Sequence, residues 1–326
     1  MLTSPRHQLI DLIEQGHIPP ERIEQALSAG GIRPDGRRWL RFIDHLLLWL
    51  GGMALSCSLV FFIAYNWRDM GQFLKFGLVE VLVVLAVLGY CLLLHRHRVA
   101  ANVALLMASI SLGVLLALYG QTYQTGADPW QLFFTWALLM LPWAALGRFP
   151  ALWVLWLALL NLSLVLYHQT FHGLFGILFS SDRALLWLLF ALNSLGLALW
   201  EGLLGRLDWL NERWAVRLLA TASGATITWL LVEAIFDERA TDAPTWLGWL
   251  AWLAIFYLVY RKLRLDLFML AGMALSVIIV VTCLLSKILF DADLEAGAFL
   301  FIAIAIIVMG TGAARWLRDV HREELS

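Results

Sequence analysis

Apolar residues along this chain gather into runs long enough to cross a bilayer, separated by short polar connectors. A spanning helix needs about 20 predominantly apolar residues. On that criterion the runs fall near 46–65, 74–94, 99–119, 130–147, 149–167, 184–203, 214–236, 245–260, 265–285 and 296–316. The fourth run is short and need not span fully. The segment Phe171–Phe179 is apolar but too short to cross, and reads as an interfacial or re-entrant piece. In hydrocarbon every backbone polar group must be satisfied internally, which leaves helices or a closed barrel. Barrel strands alternate apolar and polar over about 10 residues, whereas Leu82–Leu88 and Phe299–Met309 are unbroken. The pattern predicts an all-α polytopic transmembrane helix bundle of about ten spanning helices, its runs read as lacking interior proline.

Residues 1–44 precede the first run and read as a small cytoplasmic helical region; residues 45–316 are the bundle and 317–326 a cytoplasmic tail. Leu9, Ile10, Leu12 and Ile13 lead to Gly16 as a helix stop. Pro19 and Pro20 then open a second short helix, with Ile23, Ala26 and Leu27 on it, ended at Gly30–Gly31. Trp39, Phe42, Ile43 and Leu46 share a helical face while Arg38, Arg41 and His45 occupy another. This juxtamembrane segment is either an amphipathic helix lying in the anionic interface or the wet end of the first spanning helix. The first run lies too deep in the chain for a cleaved signal and reads as a signal anchor.

Composition agrees with lipid as the solvent. Hydrophobic residues make up 61% of 326 and charged ones 14%, with a mean hydropathy of +0.78; soluble domains carry about 25% charged residues. The net charge of −1 points away from nucleic acid. Of the 23 Lys and Arg, all but Arg68, Lys75, Arg183, Arg239 and Lys287 fall on one set of alternate connectors. The positive-inside rule then sets both termini in the cytoplasm. Many of the 17 tryptophans sit near predicted helix ends, while Trp136, Trp156 and Trp229 lie deeper and read as packing residues. Cys57, Cys91 and Cys283 lie in apolar runs and form no CxxC, so a disulfide framework is not expected.

Three local patterns carry a resemblance. They are the two-helix preface, the Ala64-Tyr65-Asn66-Trp67 end of the first run, and the Gly120-Gln121-Thr122-Tyr123-Gln124-Thr125-Gly126-Ala127-Asp128 segment. With Leu132, Phe133, Trp136-Ala137-Leu138-Leu139 and Pro142, they resemble a bacterial family of predicted integral membrane proteins of unknown function. Relatives are sometimes encoded beside a second membrane protein with a GDYxxLxY motif. The resemblance is best over about the first 150 residues. It implies a bacterial cytoplasmic (inner) membrane and supplies no catalytic residues.

Candidate chemistry gathers on the predicted outer side. Asn66, Gln121, Tyr123, Gln124 and Asp128 are polar or aromatic, and the second segment holds no Lys or Arg. Gly120 and Gly126 permit turns, and Asp128-Pro129 leads into the fourth helix. Converging, these groups would bind a small polar or cationic ligand; apart, they are loop polarity that caps helix ends. Glu80 lies about 10 Å inside the outer boundary at 1.5 Å per residue. An acid at that depth is costly unless paired, protonated or facing water, which makes it a site candidate. Its bland alternative is a hydrogen bond to a neighbouring helix. Glu233 lies within a turn of its helix end and snorkels, while Asn161 and Asn193 read as interhelical hydrogen-bonding residues. Ser109, Gly113 and Ala117 form a small-residue stripe. His168 and His172 lie four apart, but no third ligand is nominated, so no metal and no cofactor is expected.

No nucleophile elbow, Walker loop or HExxH is present, and the reading leans away from an enzyme, with no catalytic residue assigned. The expectation is a non-enzymatic membrane component that meets the lipid bilayer, and through its outer polar loop another integral membrane protein or an unidentified small ligand. The alternative is a transporter or permease using Glu80 with the outer cluster. A membrane enzyme acting on a lipid-linked substrate ranks third.

Overall fold

A computed structural model describes residues 9, 12–13, 15–29, 36–65, 70–171, 182–210, 212–237, 243–291 and 295–325. Its helices are α1 (Ile23–Ala29), α2 (Gly36–Tyr65), α3 (Gln72–Leu93), α4 (Arg98–Thr122), α5 (Pro129–Gly147), α6 (Pro150–Thr170), α7 (Asp182–Leu203), α8 (Arg213–Phe236), α9 (Ala243–Tyr257), α10 (Leu267–Asp291) and α11 (Glu295–Leu325). Among the described residues, α2 to α11 are ten helices long and apolar enough to cross a membrane. Phe171 ends α6, and the rest of the Phe171–Phe179 segment lies outside the described residues.

The termini of these helices follow from local chemistry. Gly16 adopts φ +74, with Gly16 N–H donating to Ile13 O and His17 N–H to Leu12 O. That is the paired-bond helix stop a left-handed glycine permits. Pro129 and Pro150 open α5 and α6, positions where a missing N–H costs nothing. α2 is continuous from Gly36 to Tyr65. The amphipathic segment around Trp39 is therefore the leading end of the first spanning helix, and no break separates the two.

One expectation is corrected. Pro142 lies inside α5, so the spanning runs do not all lack interior proline. It withdraws one N–H from the helical ladder, a loss that packed spanning helices tolerate. Two other helices depart from their apolar runs. α11 continues past residue 316 to Leu325, and α9 is prolonged by a π-helical stretch, Leu258–Leu263.

The chain forms two compact units, Met1–Leu118 and Tyr119–Ser326. In the first, Ile63 of α2, Val79 of α3 and Leu118 of α4 bury together. Gly52 presses on α4 so closely that a Cβ there would meet Val103 at 2.5 Å. In the second unit α8 is the central helix, with half of its apolar window buried. Ala215, Ala220, Ser223 and Gly224 give it a slim profile, which lets neighbouring helices approach. Its core includes Leu219, Ile227, Leu230, Trp249, Tyr260 and Leu270.

Polar residues within this unit join the helices. Asn161 and Asn193 exchange amide hydrogen bonds of 3.3 and 2.7 Å between α6 and α7, as expected of interhelical amides. Ser194 and Ser223 meet at 2.7 Å. Thr228 and Ser276 meet at 2.6 Å, and Trp249 donates to Ser276 at 2.9 Å.

Candidate functional site

The predicted loop begins later than its glycines suggested. Gly120 and Gln121 belong to the last turn of α4, so Gly120 is not a turn residue. Beyond Thr122 the chain bends through Gln124 at φ 45 and Gly126 at φ 66. Thr125 N–H reaches Gly120 O at 3.4 Å. Tyr119 and Tyr123 stack obliquely, with centroids 4.9 Å apart. Gln121, Tyr123 and Gln124 are exposed, and Asp128 is half-buried at the start of α5 without a side-chain cap bond.

This loop is anchored inside the second unit. Ser163 donates to Trp130 O at 3.2 Å, and Trp130 packs edge-on against Tyr167 at 5.0 Å. The same end of the unit carries the His168–Asp182 pair at 3.8 Å, with His168 buried. Arg183 bonds Asp237 at 2.5 Å and lies 3.8 Å from Glu233, so Glu233 is paired as well as near a helix end. His172 and Asn66 lie outside the described residues. Among the described residues no group of three metal-ligating side chains forms.

Glu80 belongs to the first unit. It is exposed on α3, next to Val79, which is fully buried, and Val81, which is exposed. Gln121, Tyr123, Gln124 and Asp128 belong to the second unit.

The most highly connected polar cluster lies at the opposite end of the second unit and was not nominated from the sequence. Asp266, whose side chain is 3% exposed, accepts from Arg213 Nη2 at 2.7 Å and Arg217 Nη2 at 3.2 Å. It also accepts from Phe268 N–H at 3.1 Å, which caps α10. Glu201 accepts from Arg213 Nη1 at 3.2 Å, Tyr260 Oη at 3.1 Å and Arg264 Nη1 at 2.7 Å. The π-helical stretch delivers Tyr260: its hydroxyl reaches Glu201, and its carbonyl takes Asp266 N–H at 3.2 Å. Arg261 pairs with Glu323, tying α11 to the same end. Burial pushes the Asp266 carboxyl up, but the hydrogen bonds and charges of Arg213 and Arg217 outweigh it and hold it below the ordinary carboxylate range.

Charge counting tallied these arginines only as orientation signals. The available clue was Asp266 at the start of the 265–285 run, the position of a helix cap, with Glu201 near the matching end of the 184–203 run.

Beside this cluster a groove of about 720 Å³ runs between α8 and α10, backed by Trp252 and Phe256 of α9. Its size lies within the roughly 300–1,000 Å³ of ligand clefts. Trp229, expected to be a packing residue, is instead 65% exposed and lines the groove.

Residues 11–153 match the family described as predicted membrane protein (DUF2157). This is a membrane protein of unknown function. The match bears out the resemblance to a family of predicted membrane proteins of unknown function. It contains Glu80 and the α4–α5 loop and ends within α6, so the arginine cluster and the groove lie beyond it. No curated protein and no solved structure matches the chain.

Proposed function

We propose that this chain is a non-enzymatic component of a bacterial inner membrane that docks a partner membrane protein through the loop after α4. The observation that carries this reading is the backbone at Gln124. A side-chain-bearing residue in the left-handed region is uncommon and costs on the order of 1–3 kcal/mol. Here it closes α4, with Thr125 N–H on Gly120 O, and holds an exposed segment free of Lys and Arg in one shape. A segment pre-set in shape loses less conformational freedom when a partner docks. The loop presents Tyr123 beside Gln121 and Gln124, an aromatic flanked by amides, which is a composition suited to protein contact.

The test is site-specific photo-crosslinking in cells. A photoreactive residue at Tyr123 is expected to yield one discrete adduct with a second membrane protein, and the same probe at the exposed Lys262 is expected not to. Indistinguishable adduct patterns at the two positions would sink the reading.

Glu80 supports transport as a second reading. It is a carboxylate exposed on a highly apolar helix, and an acid so placed calls for water or a partner beside it. Glu80→Gln abolishes substrate movement if the chain is a transporter and leaves the Tyr123 adduct intact if it is not.

A further inference from the structure

We propose that the groove between α8 and α10 holds an acyl chain of an anionic phospholipid, with the phosphate of that lipid seated against Arg217. The occupant is drawn sideways from the bilayer, and the site is separate from the α4–α5 loop.

The groove wall is built for a hydrocarbon chain. On α8, Thr221, Ala225 and Trp229 recur every fourth residue; on α10, Phe268, Gly272 and Leu275 follow at helical spacing. Thr221, Ala225, Trp229, Phe268, Gly272 and Leu275 are all exposed, so the trough opens along the apolar flank of two spanning helices. Gly272 keeps it wide, since a Cβ there would meet nothing within 4 Å. The hydroxyls that line it are turned away from an occupant. Thr221 donates to Arg217 O at 2.8 Å and Thr228 to Gly224 O at 2.6 Å. Ser276 is engaged by Thr228 and Trp249. An aqueous solute would find almost no free donor or acceptor there. An acyl chain needs none.

The mouth is built for an anion. Arg217 continues the Thr221–Ala225–Trp229 row one turn toward the end of α8, and its guanidinium lies 5.4 Å from the centroid of the Phe268 ring. Its Nε and Nη2 face Asp266, at 3.4 and 3.2 Å. Among the described residues its Nη1 has no hydrogen-bond partner, and the side chain is 44% exposed. The cluster is also unbalanced: Arg213, Arg217 and Arg264 face Glu201 and Asp266, leaving one positive charge in excess. Asp266 holds the Arg217 fork in place from one side, so its free edge is pre-aimed. Guanidinium on phosphate is a charge-assisted pairing of high strength, and basic pockets between spanning helices are a natural seat for anionic headgroups. Chain and headgroup sites are contiguous through Thr221 and Phe268, as a single amphiphile requires.

The experiment uses the full chain, purified in mild detergent and titrated with phosphatidylglycerol or with diacylglycerol of the same acyl chains, which lacks the phosphate, with bound lipid counted by native mass spectrometry. Phosphatidylglycerol is expected to be retained about tenfold more tightly, the worth of one hydrogen bond to a charged group. Arg217→Gln should bring the two lipids level while both are still retained. Gly272→Phe adds a ring into open space, touches none of the ion pairs, and should abolish retention of both. Equal retention of the two lipids by the unmodified chain would overturn the headgroup assignment. Undiminished retention in Gly272→Phe would overturn the groove as the chain's seat.

Discussion

Asp266 carries more of the second unit's polar architecture than any other single side chain. One buried carboxylate pairs with two guanidinia and caps α10. Removing one side of a buried ion pair costs roughly 3–5 kcal/mol. Arg213 and Arg217 are 30% and 44% exposed, so water screens part of that loss. Asp266→Asn is expected to cost about 2 kcal/mol, read as a lowered melting temperature of the detergent-solubilised chain at neutral pH. The pH dependence has a definite sign. A carboxyl held below its ordinary value in the folded state binds fewer protons folded than unfolded. Its stabilising contribution is therefore full above the ordinary carboxylate range, about pH 4, and fades as pH falls through the depressed folded-state value. Asp266→Asn should flatten that part of the acid-unfolding curve, and an unchanged curve would contradict the assignment. None of this was readable from residue types. Glu201 and Asp266 lie 65 positions apart in the chain, and only the return of α8, α9 and α10 to one end brings them to Arg213. The loop residues were nominated from composition, but the left-handed turn at Gln124 has no signature in a Thr-Tyr-Gln-Thr stretch.

At the scale of helices, the reading from hydropathy was close because lipid imposes a length on every apolar run, and each of the ten runs has its helix. What hydropathy could not supply was the manner of packing, since an apolar run looks alike whichever face it turns inward. Gly224 shows the difference. A Cβ there would strike the Trp252 ring at 2.8 Å, whereas one at Gly272 meets nothing. Both are glycines in apolar spans and only their neighbours distinguish them. Gly224→Ala must therefore part α8 from α9 and should destabilise by about 1–3 kcal/mol, the usual cost of overpacking. Gly272→Ala should be nearly silent by the same thermal assay. Trp252 offers the compensating change, because its indole N–H has no hydrogen-bond partner to lose. Gly224→Ala combined with Trp252→Phe should recover part of the lost stability. If Gly224→Ala proved as mild as Gly272→Ala, the close α8–α9 approach would be wrong.

At the scale of the whole molecule, the second unit has two polar ends of different character. One carries the α4–α5 loop, free of Lys and Arg, with the Arg183–Asp237 pair; the other carries the arginine-rich cluster with Arg261 and Lys262. Alternating antiparallel helices separate these ends by the length of a span, so a bilayer must lie between them. We propose from the positive-inside asymmetry that the arginine-rich end faces the cytoplasm, the side where anionic headgroups would meet Arg217. Cysteine accessibility can check this directly. With Cys57, Cys91 and Cys283 replaced by Ala, Gln124→Cys is expected to react with a membrane-impermeant maleimide on intact spheroplasts. Lys262→Cys should react only after the membrane is opened. Both target positions are exposed, so a difference in labelling reports sidedness rather than burial. Labelling of both from the same face would remove the membrane from between the two ends, and with it the shared basis for a partner-facing loop and a lipid-facing arginine.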